Sequence, residues 1–560
     1  MHPRSAGGPP ASRGLLSPRP TPSLQDHSMP STLLLAGGGL LALTSTLLAA
    51  GAASAAPMSG VTVGFGEAVP VNRGAFGLNN NNAAADARTN GDAYPALIKA
   101  LGATSSRYLG GSSSSFWDWR TGKYIPADEI TAIWPEHHGN WMLPLVADVA
   151  RLPDGTLGPD NYAAFAEKAG VDVQWMTNFT TREDDQADMV RHLHDEGIPV
   201  KYLELDNETY FWGAEFGGGE DRSRKYIERV KDFTPLLREL YPDARVGVVA
   251  SENGVFADEM HEKEDAHTLW NGVITRPAYR DLYDAFILHH YVMNQGTLDG
   301  VADGNVSDAT LGPAFLTCPE VTLGHAIDVL AEEHGGIPMW ITEFNVIGYY
   351  RIGNPDDEKP DTGVTDADAW IARTAHTPWN AIYQAGFWLM ALQHPEAIEI
   401  LNHHSVTNVD LGWGLGLPVS TEEADLTATG QLFAHLSHLA VGADGVMPLT
   451  FEGNPDLGSA FGGEEAGALQ GVAVERDGKK HLIVINRGAD PVSIAMPGGG
   501  AAERISYRTD RENPRTSRVK LAGETPVWRQ GPMEPETVAV GAGGRVELPA
   551  FSLSVLMSGR

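Results

Sequence analysis

A single cysteine, Cys318, occurs in the 560-residue chain. One thiol excludes an internal disulfide and a thiolate metal site, so stability must come from buried apolar surface. Its Thr-Cys-Pro-Glu setting reads as a loop without a neighbouring base, which argues against a nucleophilic role. Positive charge is also scarce: 40 Lys and Arg stand against 72 Asp and Glu, a net charge of −32. Such a field repels polyanions, so nucleic acid is not an expected partner and neutral ligands are favoured over acidic ones. There is no repeat of fixed period and no heptad pattern. Long apolar runs are absent apart from one, at 33–50.

That run, LLLAGGGLLALTSTLLAA, follows Arg4, Arg13 and Arg19 and is closed by Ala53-Ser54-Ala55, small residues suited to signal peptidase. We expect residues 1–56 to be an export signal with an extended N-terminus, giving a secreted, periplasmic or cell-surface protein. The competing reading is an uncleaved anchor, because the run is almost long enough to span a bilayer. After cleavage no stable membrane association is expected.

The whole chain is 42% hydrophobic, enough for a packed core. Its length implies a large domain and a smaller one. Between about 57 and 442, strand and helix signals alternate, the pattern of a (β/α)8 barrel. The expected strands are Phe76–Leu78, Thr104–Leu109, Val171–Asn178, Ile198–Glu208, Arg245–Ser251, Ala285–Tyr291, Met339–Phe344 and Ala397–His404. Long loops are expected over 292–321 and 351–367, both overhanging the C-terminal ends of strands. From 443 to 560 short alternating segments broken by Gly, Pro and Asp predict a β-sandwich, which Val61–Phe65 is expected to join.

The fourth and seventh strands end alike. Lys201-Tyr202-Leu203-Glu204-Leu205 runs into Asp206-Asn207-Glu208, and Met339-Trp340-Ile341-Thr342 runs into Glu343. In a parallel barrel those tips form the working face. Two carboxyls on one rim are the minimal apparatus for cleaving an acetal: one protonates the leaving oxygen while the other attacks the anomeric carbon. Glu208 and Glu343 are therefore the candidate catalytic pair.

Three stretches in order resemble the clan A glycoside hydrolases, closest in flavour to α-L-arabinofuranosidases and β-glucuronidase or heparanase-like enzymes. They are Arg107-Tyr108-Leu109-Gly110-Gly111 leading to Trp117-Asp118-Trp119, Asn207-Glu208 with Glu343, and Leu288-His289-His290-Tyr291. The resemblance spans roughly 70–440. It implies a retaining mechanism with Glu208 as acid/base and Glu343 as nucleophile. It further implies that Arg107 steadies the nucleophile, that Tyr291 donates to it, and that His289 shapes the sugar subsite. The chain departs from the pattern at Asp206, where those families place glycine, and at Leu109, where they place proline.

Asn207 and Asn178, at strand ends, are candidate ligands of sugar hydroxyls. Trp117 and Trp340 are candidate stacking platforms, with Trp119, Trp175, Phe211, Trp212 and Tyr349 as further rings near strand ends. The expected partner is a plant- or algal-type carbohydrate, and no cofactor is implied. Two other readings stay open: a binding barrel without turnover, and a metal-dependent hydrolase. Paired histidines suggest the latter, but neighbours on a strand point to opposite faces, so neither His289-His290 nor His403-His404 can easily share one ion.

Overall fold

A computed structural model describes residues 60–79, 91–133, 142–211, 220–252, 255–256, 265–291, 308–346, 378–407, 414–421, 423–458, 465–495, 502–509, 517–519, 527–529, 531–540 and 544–558. The apolar run at 33–50, the Asn80–Asn82 stretch, Trp212, Tyr349 and the loop at 351–367 lie outside these residues.

Eight parallel strands close into a barrel: Gly77–Asn79, Ser105–Tyr108, Asp172–Met176, Tyr202–Leu205, Arg245–Val249, Ala285–Tyr291, Met339–Asn345 and Ile398–His404. They lie in chain order, and the eighth returns to the first with Asn402 opposite Gly77. Helices between them cover the outside. The helix Pro159–Ala169 shows how sequence sets the limits: Pro159 opens it, and Gly170, at φ 76°, ends it and feeds the third strand. In the last helix, Ala428–Ala440, the Thr427 side chain caps the first turn by accepting from the Gly430 N–H.

The expected loop over 292–321 is partly helix. The element Asp308–Glu333 begins well before the expected start at Leu323 and contains Pro313 and Pro319. Two prolines in a helix interior each delete a backbone hydrogen bond, so they pointed toward a loop; tertiary packing overrides them here. Pro319, for example, packs where Gly386 of a neighbouring helix leaves room. Cys318 accordingly sits buried in a helix and not in a loop. Among the described residues no helix is long and apolar enough to cross a membrane.

The barrel interior is layered, as alternation along parallel strands requires. Ala285, Ile287, Trp340 and Ile400 form an apolar plug toward the N-terminal ends. The close fit explains Gly247: a Cβ there would stand 2.6 Å from the Trp340 ring. Next comes a polar bridge in which Gln174 donates to Ser105 and Asn402. The C-terminal layer holds the charged groups described below.

The C-terminal strands form a nine-stranded, mostly antiparallel array with a sandwich-like core, into which Val61–Phe65 is inserted, antiparallel to Gly445–Glu452 and parallel to Val492–Ala495. The strand Gly445–Glu452 links the two halves. Its first residues pair with Leu469–Arg476 and its last with Val61–Phe65. Val63, Leu449, Val484, Ile494 and Leu556 fill the space between. Arg487 of this region, buried, pairs with Glu320 of the barrel helix.

Candidate active site

The two candidate glutamates reach the barrel mouth by different backbone devices. After Leu205 the chain leaves the fourth strand abruptly, with Asp206 at φ 78° and Glu208 at φ 45°. Left-handed backbone is uncommon outside glycine, though Asp tolerates it better than most residues. This explains the glycine that the resembled families place here, which enters that region without strain. Asp206 is fully buried; its carboxylate accepts from Thr180 Oγ1 at 2.9 Å and from the Asn207 N–H at 2.7 Å. Burial pushes this carboxyl up to about 6, even though the hydrogen bonds favour its charged form.

On the seventh strand the device is a bulge. Ile341 stands opposite Leu288 and Glu343 opposite His289, so Thr342 is one residue too many for the register. The eighth strand, on the other side, shows the same slip between Ile341 and Phe344. Trp340 points into the barrel, and strict alternation would send Glu343 outward. The extra residue re-aims it inward.

Arg107, on the second strand and fully buried, gathers these tips. Its Nη1 donates to Glu343 Oε1 at 2.7 Å, its Nε to Glu204 Oε2 at 2.8 Å, and its Nη2 to Asn207 Oδ1 at 2.9 Å. One cation thus serves two carboxylates, and the two do not share it equally. Burial raises the Glu204 carboxyl above its ordinary value despite the ion pair, while the Arg107 pKa rises because both carboxylates outweigh its own burial. We assign the weaker charge to Glu204, which is wholly enclosed and whose Oε1 has no hydrogen-bond partner among the described residues.

Glu343 has the richer surroundings. Burial alone would raise its pKa, but His289, His404 and Arg107 offset this, and the Tyr291 hydroxyl donates to Oε2 at 2.6 Å. Its carboxyl is held well below the usual carboxylate range, so it is ionised at neutral pH. Glu208 is differently placed. Its Oε1 lies 2.9 Å from His289 Nδ1, and its Oε2 accepts from Ser112 Oγ at 3.0 Å and Asn207 Nδ2 at 3.3 Å. Its side chain is 14% exposed against 6% for Glu343, so the acid/base candidate has the easier access to solvent.

His289 sits between the two. The Nδ1 that bonds Glu208 is 3.8 Å from Glu343 Oε2, and Nε2 lies 3.2 Å from Thr342 Oγ1. Burial lowers its pKa, but Glu343 and Glu208 raise it further, for a net upward shift. His404 ends the eighth strand with Nδ1 2.8 Å from Asn79 Nδ2 and 3.7 Å from Glu343 Oε2; burial keeps its pKa low. The neighbouring rings face away, as alternation requires. His290 stacks on Phe256 at 4.1 Å, and His403 packs against Phe344 at 5.5 Å.

The structure therefore brings Arg107, Asn207, Glu208, His289, Tyr291 and Glu343 together, and leaves three expected binders elsewhere. Trp340 belongs to the apolar plug, three residues down the strand from Glu343, fully buried, its Nε1 donating to Glu399. Trp117 is buried edge-on against Tyr124 at 4.9 Å. Asn178 spends its amide inside the loop, donating to Trp117 O and Thr181 Oγ1 and accepting from the Thr181 N–H. Trp175 is buried against the helix layer, and Trp119 is flanked by Arg120 and His192. Four site residues had escaped the sequence reading: Ser112, Glu204, His404 and Thr342. Glu204 alone carried a signal, since it shares the inward parity of the fourth strand with Tyr202.

Neither a family model nor a curated protein matches the sequence. Solved structures do match. AbfB, a family 51 α-L-arabinofuranosidase from Bifidobacterium longum, gives a TM-score of 0.61 at 16% identity, over 90% of this chain and 100% of that one. The GH51 arabinofuranosidase from Xanthomonas axonopodis pv. citri gives 0.58 at 15% identity, over 89% and 100%. CelM2, a bifunctional glucanase-xylanase from a metagenome library, gives 0.52 at 13% identity, over 90% and 99%. The chain has their fold. At such identity the likeness is one of backbone, and the side-chain chemistry rests on the distances above.

Proposed function

We propose that this protein is a retaining glycoside hydrolase in which Glu343 is the nucleophile and Glu208 the acid/base. The observation that carries the reading is the shared histidine. His289 Nδ1 lies 2.9 Å from Glu208 and 3.8 Å from Glu343, so the two carboxylate oxygens are at most 6.7 Å apart, the sum of those distances. Retaining enzymes hold their carboxyls at roughly 5–5.5 Å, and inverting ones at about 6.5–9.5 Å to admit a water. This bound leaves only the low edge of the inverting range.

The electrostatics support the same roles. Arg107 and Tyr291 stabilise charge on Glu343, as a nucleophile needs, and Glu208 keeps solvent access for the second step. In the first step Glu343 attacks the anomeric carbon while Glu208 gives its proton to the departing oxygen. In the second, Glu208 takes a proton from a water whose oxygen attacks the anomeric carbon and displaces the Glu343 carboxylate, releasing the sugar. No step requires a cofactor. His289, whose pKa the two glutamates raise, and His404 both converge on Glu343, which gives the inward histidines a use without a metal.

Named activities of the structural neighbours, arabinofuranosidase and glucanase-xylanase, together with the charge of −32, favour a neutral polysaccharide or oligosaccharide of plant or algal type. The apolar run at 33–50 supports export to reach it. The test is a panel of aryl glycosides and wall polysaccharides, with proton NMR of the first-formed anomer. Retained configuration is expected. Inverted product would refute the mechanism, and silence across the panel, with ligand still bound, would favour a binding barrel.

A further inference from the structure

We propose that Asp206 is a positioning residue that fixes the Asn207-Glu208 tip by tethering it to the loop after the third strand. The inference rests on the hydrolase reading above and concerns a residue at which this chain departs from the families it resembles.

The backbone supplies the first half of the argument. Both Asp206 and Glu208 are left-handed, so the tip follows no regular ladder that would hold it in register. A glycine at 206 would permit that turn and fix nothing. An aspartate can adopt it and add hydrogen bonds. The second half is where those bonds go. The carboxylate accepts from Thr180 Oγ1 at 2.9 Å and from the Asn207 N–H at 2.7 Å, and the backbone N–H groups of Phe179 and Thr180 also point to it. One fully buried group therefore ties the third-strand loop to the residue beside the acid/base. That loop is itself pinned: Asn178 holds Trp117 O, Thr181 holds Ser115 O, and Arg229 donates to Phe179 O. Ser115 and Trp117 close the segment that begins at Ser112, another partner of Glu208. Two of the three partners of Glu208, Asn207 and Ser112, thus lead back to one braced unit, and the third, His289, comes from the sixth strand. Asp206 touches no reacting atom and acts through the placement of Glu208.

Placement of an acid matters most when the leaving group needs a proton. Wild type, Asp206→Asn and Asp206→Gly are compared on phenyl and 2,4-dinitrophenyl glycosides of the sugar that the wild type hydrolyses best. kcat/KM is read because it reports the first step alone. Glycine suits the φ of 78°, so Asp206→Gly is expected to fold, with near-UV circular dichroism as the check. It should lower kcat/KM about tenfold or more on the phenyl substrate and less than about threefold on the dinitrophenyl one, whose departure needs little acid help. Asp206→Asn, which keeps one accepting oxygen, should fall between. Equal losses on both substrates would show a merely structural residue and overturn the inference, as would no loss on either. A wild type inert on every aryl glycoside sinks the hydrolase reading and the inference with it.

Discussion

The tips of the fourth and seventh strands deliver the same side chain by opposite means, and the contrast fits the different tasks proposed for them. Glu343 stands within its strand, re-aimed by a bulge of one extra residue, and is gripped by Arg107 and Tyr291. Glu208 lies past the end of its strand on left-handed backbone, more exposed, and among the described residues its partners are Ser112, Asn207 and the His289 imidazole. A group that must stay charged gains from a rigid, donor-rich seat. A group that must give up a proton and recover it from water gains from a looser one.

The contrast is broken most severely by removing the proposed nucleophile. Glu343→Ala should lower kcat by roughly 10,000-fold or more on every substrate, because no intermediate can form, while affinity for the sugar product persists in calorimetric titration. Glu208→Ala should lose about 100- to 10,000-fold, less on activated aryl glycosides, and recover with added azide as an external nucleophile. Equal and substrate-blind losses in the two variants would erase the distinction between the tips.

Next is Arg107→Met, which leaves Glu204 and Glu343 buried without their cation. Breaking a buried pair from one side typically destabilises by about 3–5 kcal/mol, read here from urea unfolding. The sign with pH follows. Without Arg107 both carboxyls should prefer to be protonated, so the variant should regain part of its stability as pH falls toward 5. A loss that does not depend on pH would mean that Arg107 acts by packing.

A milder change is Tyr291→Phe. One hydrogen bond to a charged group contributes about 1.5–3 kcal/mol, so kcat/KM should fall about 10- to 100-fold. The hydroxyl helps keep the Glu343 pKa low, and the active form is the ionised one. Its removal raises that pKa and should move the acid limb of the pH profile to higher pH. An acid limb in the same place would remove Tyr291 from the charge-stabilising set.

Much of this was legible in the chain because parallel barrel strands, buried on both faces, read as apolar runs whose ends are marked by polar residues. Ala285–Tyr291 has the same limits in sequence and structure. The bulge at Thr342 was not legible, since nothing in Met-Trp-Ile-Thr-Glu-Phe-Asn distinguishes a register slip from plain alternation. Nor were Ser112 and His404, which meet their partners from 96 positions away and from the far end of the barrel sequence. Pro313 and Pro319 misled because local propensity is a weak prior against packing. Asp206 shows the opposite case: a departure visible in sequence whose setting, a left-handed φ with a buried hydrogen bond from Thr180, only the structure reveals.

The smallest effect on activity belongs to Trp340, and it sharpens the comparison by marking how far the site extends down the seventh strand. Three residues below Glu343, at a rise of about 3.3 Å each, the ring is about 10 Å from the mouth, below the Gln174 bridge. There it meets Gly247 and the edge of Tyr202 and donates to Glu399. Trp340→Phe removes that hydrogen bond and part of a tightly packed ring, so it should reduce stability by about 1–3 kcal/mol. Sugar affinity and kcat should stay within about twofold of wild type, as expected for a core residue outside the site. A KM that rises tenfold with stability unchanged would return the ring to the binding surface, and would mean that the plug opens to admit substrate.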